Sequence, residues 1–165
     1  MRCFFDTEFL ENGATIELIS IGVVREDGAE YYAETTNAHE LACSTKWLED
    51  NVFPHLDHGA AGSRRSRFTI AHEILDFAGE KPEFWAWYAD YDWVALCQLY
   101  GRMIELPNGW PMYCRDFKQH VDFFKSELGR KYTLPPKPEK AHNALEDARW
   151  LAQAFESHMA QRFKV

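Results

Sequence analysis

Two carboxylates spaced two residues apart at the end of an apolar run constrain this chain more than any other feature. Cys3-Phe4-Phe5 reads as the body of a buried strand, and Asp6-Thr7-Glu8 follows it directly. Side chains alternate faces along a strand, so Asp6 and Glu8 project the same way and converge on one spot. The neighbouring Phe4, Phe5 and Phe9 oppose an exposed strand end, since large aromatics favour burial. Like charges held that close repel unless a cation lies between them. An oxygen-only donor set favours a hard divalent ion, Mg2+ or Mn2+, over zinc.

Bulk properties narrow the class. A chain of 165 residues suits one domain with a sizeable core, so residues 1–165 are read as a single unit. Apolar content of 46% is globular, and no run approaches the ~18 to 20 apolar residues of a membrane span. Charges at Arg2 and Asp6 interrupt the amino-terminal apolar run before a secretion signal develops. Cys3, Cys43, Cys97 and Cys114 include no Cys-x-x-Cys pair, which points away from zinc and towards reduced thiols in a cytoplasmic setting. A formal net charge of -8 opposes non-specific binding to long duplex nucleic acid. It leaves room for a nuclease, because bound cations can neutralise catalytic acids and grip one phosphate. Local basic patches would hold the rest of a short substrate, and two exist, Arg64-Arg65-Ser66-Arg67 and Arg130 to Lys140 with Lys131 and Lys137, although each taken singly also reads as solvated surface.

Along the chain, residues 2 to 9, Ile16 to Val24 and Glu30 to Thr35 are expected as strands, joined by turn chemistry at Asn12-Gly13 and Asp27-Gly28. They would form a three-stranded antiparallel meander. Ser44 or Thr45 caps an expected short helix carrying Trp47, Leu48 and Val52, and a second helix spans about Phe68 to Ala78 with Gly79 as terminator. Phe84 to Tyr88 reads as a buried aromatic strand, followed by a helix from about Asp92 to Tyr100. Met112 to Cys114 is expected as a short strand, Asp116 as the cap of a helix through Phe117, Val121, Phe124 and Leu128, and Gly129 as its end. A proline-rich loop precedes a long amphipathic helix marked by Ala144, Ala148, Leu151, Phe155 and Met159. Strands first, then alternating helices and strands, predict a mixed α/β sheet flanked by helices. Ligands gather at the carboxyl ends of strands in such sheets, which would put Asp6 and Glu8 beside Asp92, with Asp147 reaching the same edge from the last helix.

Three segments in order, Phe5-Asp6-Thr7-Glu8-Phe9, Tyr91-Asp92-Trp93-Val94-Ala95-Leu96 and His142-Asn143-Ala144-Leu145-Glu146-Asp147-Ala148, resemble the motifs of the DEDDh 3'-5' exonucleases. The resemblance spans nearly the whole chain, and it looks closest to small stand-alone bacterial exoribonucleases with a Trp-Ala-Trp middle strand. It implies a ribonuclease H-like fold, the antiparallel meander being joined by parallel strands. It also implies a two-metal hydrolysis in which Asp6 bridges two Mg2+ or Mn2+ ions, Glu8 and Asp147 help hold the ion carrying the nucleophile, and Asp92 supports the second. His142 would be the general base, an imidazole being able to change protonation near neutral pH. The family pattern has an asparagine where this chain has Tyr88. Asp90 competes with Asp92, and Asp92 is preferred because it follows an aromatic and opens the Val94, Leu96, Leu99 helix.

Thr7 and Phe9 occupy the positions where the family packs the terminal nucleotide. Trp87, Tyr88 and Trp93 are stacking candidates for single strands, with core packing the competing role for most of them, and Arg67 and Lys140 are candidates for phosphates. The resemblance implies RNA 3' ends as substrate, with single-stranded DNA as the alternative within the same chemistry. A non-catalytic binding module on the same fold is the rival from another class. Several relatives work as dimers, and Trp110 or Phe163 would supply apolar surface for such an interface.

Overall fold

The structure, a computed structural model, describes residues 1–58, 62–126, 133–139 and 141–162. Three strands come first: β1 (Arg2–Glu11), β2 (Ile16–Arg25) and β3 (Glu30–Thr35). Two short helices follow, α1 (Ala38–Ala42) and α2 (Lys46–Asn51), then a 3-10 turn at Phe53–His55 and the two-residue strand β4 (Arg64–Arg65). The rest alternates as α3 (Arg67–Ala78), β5 (Glu83–Ala86), α4 (Ala89–Cys97), a 3-10 turn at Met103–Glu105, β6 (Arg115–Asp116), α5 (Phe117–Ser126) and α6 (Ala144–Arg162).

All six strands belong to one sheet in the order β4-β3-β2-β1-β5-β6. The expected meander is present, β1–β2 and β2–β3 being antiparallel, whereas β3–β4, β1–β5 and β5–β6 are parallel. Local chemistry explains the elements. Asn12 accepts the Ala14 and Thr15 amides through its side chain while Gly13 takes φ +83°, closing the first hairpin. The Thr45 hydroxyl caps α2 by accepting the Leu48 amide, Ser66 caps α3 through Thr69, and Asp116 caps α5 through Gln119.

Alternation along β1 divides the interior into two layers. Cys3 and Phe5 pack with Ile21, Val23 and Ala33 against Ile70 and Ile74 of α3 and Leu96 of α4. Phe4 faces the other way and joins Trp85, Phe117, Trp150, Leu151 and Phe155 beneath α5 and α6. Asp6 and Glu8 continue the Phe4 face and Thr7 the Phe5 face, so one strand supplies both sides of whatever forms at its end.

Several expectations shift. The aromatic strand stops at Ala86, and Trp87 and Tyr88 form the connection to a helix that begins at Ala89 rather than Asp92. The Asp116 carboxylate takes the Ala89 amide and so starts the helix early. The strand expected at Met112 to Cys114 lies instead at Arg115–Asp116, while α1 and β4 are too short to leave a periodic signal. Trp110 is buried, donating its indole N–H to the Gly79 carbonyl at 2.9 Å, and offers no interface surface. Leu128, Gly129, Arg130, Lys131, Lys140 and Phe163 lie outside the described residues. The four cysteines are free thiols, and among the described residues no helix is long and apolar enough to cross a membrane.

Candidate active site

The parallel register of β1 with β5 ends at Phe4 opposite Trp85, although β1 runs on to Glu11. Past that point the edge of β1 is open, and α4 fills it with a side chain in place of a strand. The Thr7 amide and hydroxyl both donate to Asp92 Oδ1, at 2.9 and 2.6 Å. Asp92 is buried, whereas Asp90 is exposed. Residues two apart on a helix differ by about 200° in direction, so a helix that turns Asp92 inwards must turn Asp90 outwards.

On the opposite face, Asp6 is paired in register with Gly22 of β2, and Glu8 with Ser20. A Cβ on Gly22 would lie 2.4 Å from the Ala144 carbonyl oxygen and from the Leu145 nitrogen and Cα. The absent side chain therefore lets the first turn of α6 rest directly on the sheet beside Asp6. That contact delivers Asp147, one oxygen of which lies within 4.8 Å of oxygens from Asp6 and Glu8. Asn143 caps α6, its side chain accepting the Glu146 amide at 3.1 Å and donating to the His55 carbonyl at 3.1 Å. Asp147 reaches back to accept the His142 amide at 2.8 Å, and His142 is held at φ +69°. Among the described residues only Tyr88 and His142 combine a side chain with positive φ, and both line the same cleft. Strained backbone of that kind concentrates where function requires it.

The cleft has a volume of about 610 Å³ and is lined by Asp6, Thr7, Glu8, Phe9, Trp47, Trp87, Tyr88, Tyr91, Asp92, Lys137, Ala141, His142 and Asp147. Burial, reinforced by the neighbouring Asp92, Glu8 and Asp147 charges, pushes the Asp6 carboxyl well above its usual range. Burial next to Asp147 and Asp92 pushes Glu8 up to about 8. Asp92 rises to about 6 through burial, restrained by its two bonds from Thr7. Asp147 is also raised by burial, against the opposing pull of the His142 amide and Lys137. Three carboxyls, Asp6, Glu8 and Asp147, raised by burial and with oxygens within 4.8 Å of one another, form a cradle that a hard cation fits: it supplies the missing positive charge, and every donor is oxygen.

The cleft thus gathers Asp6, Glu8, Asp92, His142 and Asp147 with Thr7, Phe9, Trp87 and Tyr88, as the sequence predicts. Two predicted members are elsewhere. Trp93 packs its ring against Phe5 and Phe84 in the core, because it lies on the inner side of α4. Arg67 opens α3 and points a nitrogen at the Gln98 carbonyl, 3.5 Å away. Lys140 is outside the described residues. Four lining residues, Trp47, Tyr91, Lys137 and Ala141, are not among the expected site members, although Lys137 lies in one of the basic stretches of the sequence. Trp47, 54% exposed rather than on a buried helix face, meets the His142 ring edge-on at a centroid distance of 4.9 Å. Tyr91 stacks on Phe9 at 5.7 Å with an interplanar angle of 10°. Lys137 turns into the cleft from a loop that reads as solvated. A six-residue helix and a proline loop carry too little periodicity to reveal such directions.

The mixed sheet with helices on both faces, carrying four acids and one histidine at an open strand edge, is a fold shared with solved exonucleases. The solved structure of apo Exonuclease I shares the ribonuclease H-like fold, with a TM-score of 0.68 and 10% identity over 96% of this chain. The zinc-bound E. coli ExoI–ssDNA complex matches at a TM-score of 0.68, with 12% identity over 98% of this chain. The chain spans only 42% and 40% of those two proteins. At the level of sequence, the chain belongs to the Rv2179c-like 3'-5' exoribonuclease domain family, whose model matches residues 1–159. It is 43% identical over 153 residues to 3'-5' exoribonuclease Rv2179c of Mycobacterium tuberculosis H37Rv, covering 90% of this chain and 88% of that protein. The relative MT2234.1 from strain CDC 1551 matches equally, at 43%.

Proposed function

We propose that the chain is a metal-dependent 3'-5' exoribonuclease, a single domain over residues 1–165 that removes nucleoside 5'-monophosphates from RNA 3' ends. The observation that carries this reading is the meeting of Asp6, Glu8 and Asp147 oxygens within 4.8 Å in a cleft that also holds Asp92 and His142. Asp6 would bridge two Mg2+ or Mn2+ ions, Glu8 and Asp147 would hold one of them, and Asp92 would support the other. When bound, two such ions stabilise charge on the attacking and leaving oxygens of an in-line displacement. His142 takes a proton from the attacking water as its oxygen bonds to phosphorus. The P–O3' bond breaks, and the leaving 3' oxygen takes a proton from a water molecule, so the shortened RNA ends in a 3' hydroxyl while the proton on His142 returns to solvent. Trp47 braces the imidazole ring, and the Asp147 bond to the His142 amide holds the loop that carries it.

The terminal nucleotide meets Thr7 and the Phe9 ring, which Tyr91 backs by stacking. Trp87 and Tyr88 extend the aromatic lining, and stacking of this kind contributes about 1 to 3 kcal/mol per base without reading sequence. RNA is favoured over single-stranded DNA because the family and the 43%-identical relatives are named exoribonucleases. The intact acids count against a binding module, which has no use for a repelling cluster. The test is a 5'-labelled single-stranded RNA and its DNA counterpart, digested with Mg2+ or Mn2+ by wild type and by His142→Ala. Wild type should give a ladder shortening from the 3' end, faster on RNA and abolished by chelator, while His142→Ala leaves the substrate intact. Internal cuts, or digestion that survives chelation, would refute the proposal.

A further inference from the structure

We infer that Lys137 grips a backbone phosphate near the substrate 3' end, its ammonium presented to the cleft by two indole faces. This deepens the nuclease reading above and rests on it. Lys137 is the one lysine or arginine among the described residues lining the acidic cleft. Its nitrogen lies 3.6 Å from the Trp150 ring centroid and 5.2 Å from that of Trp87. Indole faces attract ammonium groups, so the charge is aimed without being consumed by a carboxylate. Among the described residues Lys137 forms no direct ion pair, although Asp147 and Asp6 lie close enough to act on it electrostatically.

The described segment that carries it, residues 133–139, is anchored at several points. The Trp150 indole N–H donates to the Pro135 carbonyl at 3.1 Å, and Gln161 of α6 exchanges two bonds with the Thr133 backbone at 3.2 and 2.9 Å. Leu134 packs against the core beneath α6. Asp147 and Trp150 are one turn apart on that helix and share a face, so α6 places an acid of the centre and the seat of the lysine together. A polyanion approaching four acids and a chain of net charge -8 needs positive charge beyond what offsets the acids themselves. An ammonium is a compact point charge suited to phosphate oxygens.

The experiment compares wild type, Lys137→Met, which keeps the stem on Trp150, and Lys137→Arg, which keeps the charge. At saturating Mg2+ on single-stranded RNA, Lys137→Met should lose on the order of 10- to 100-fold in kcat/KM, mainly through KM, and Lys137→Arg should recover most of it. The slope of log(kcat/KM) against log[KCl] should become shallower by about 0.7 for one lost contact to a single strand. In RNAs with one neutral methylphosphonate stepped back from the 3' end, wild type should be slowed at one linkage where Lys137→Met is not slowed further. Equal kcat/KM for wild type and Lys137→Met overturns the inference. So does a variant altered only in the Mg2+ concentration for half-maximal activity, which makes Lys137 a counter-ion of the acids. An inert wild type sinks the nuclease reading itself, so the two failures are distinguishable.

Discussion

Replacing Gly22 by alanine tests the link between sheet packing and the acidic centre. The added Cβ would lie 2.4 Å from three atoms of Ala144 and Leu145, against 3.4 Å or more for an ordinary contact. All three are backbone, so no side chain can rotate away, and the start of α6 must retreat by about 1 Å to restore normal separation. Overpacking of this kind costs about 1–3 kcal/mol, which for a chain of this size lowers Tm by roughly 5 °C. The retreat moves Asp147 and His142 away from Asp6, which stays on β1. A displacement of about 1 Å at reacting groups is worth on the order of 100-fold in rate. Thermal denaturation and kcat/KM on single-stranded RNA, measured well below the variant's Tm, read the two effects separately. Gly62→Ala is the control, since a Cβ there meets nothing within 4 Å. Wild-type stability and activity in Gly22→Ala would refute the close approach. A stability loss with unchanged kcat/KM would show that the helix position does not govern the chemistry.

Further outcomes follow from the same geometry. Asp92→Asn should be nearly inactive and Asp90→Asn close to wild type in RNA digestion, because only Asp92 is turned to the cleft; the reverse would overturn the assignment. In the metal-free protein the Glu8 carboxyl rises from 4.5 to about 8 on folding, so between those values the folded state holds a proton that the unfolded chain has released. Metal-free Tm should therefore fall as pH rises from about 5 to 8. Mg2+ or Mn2+, binding the ionised carboxylates of the folded state, should raise Tm more at pH 8 than at pH 6; an equal rise would contradict the site. Tyr88 is 63% exposed at φ +60°, a conformation that costs a non-glycine residue about 1 kcal/mol. Tyr88→Asn should then raise Tm by a few degrees while KM for RNA increases, and a loss of stability would point to a packing role instead.

What could be read without coordinates was whatever depends on short-range order. The two-residue spacing of Asp6 and Glu8 determines a shared face in any strand, and the His142 to Asp147 spacing puts a carboxylate in the first turn of a helix behind a loop histidine. The meander was legible because Asn12-Gly13 and Asp27-Gly28 supply positive-φ glycines between apolar runs. Tertiary structure alone decided which side chains reach those acids from elsewhere. Lys137 enters the cleft because Trp150 and Gln161 of α6 hold its loop, and Trp47 meets His142 because α2 packs through Leu48 and leaves the indole outside. Trp93 and Arg67 are lost to the site because the inner side of α4 and the start of α3 face other neighbours. Periodicity reports the direction of a side chain relative to its own element. Which element lies opposite is set by packing between residues dozens of positions apart, down to the missing Cβ of Gly22 that lets α6 close on the sheet.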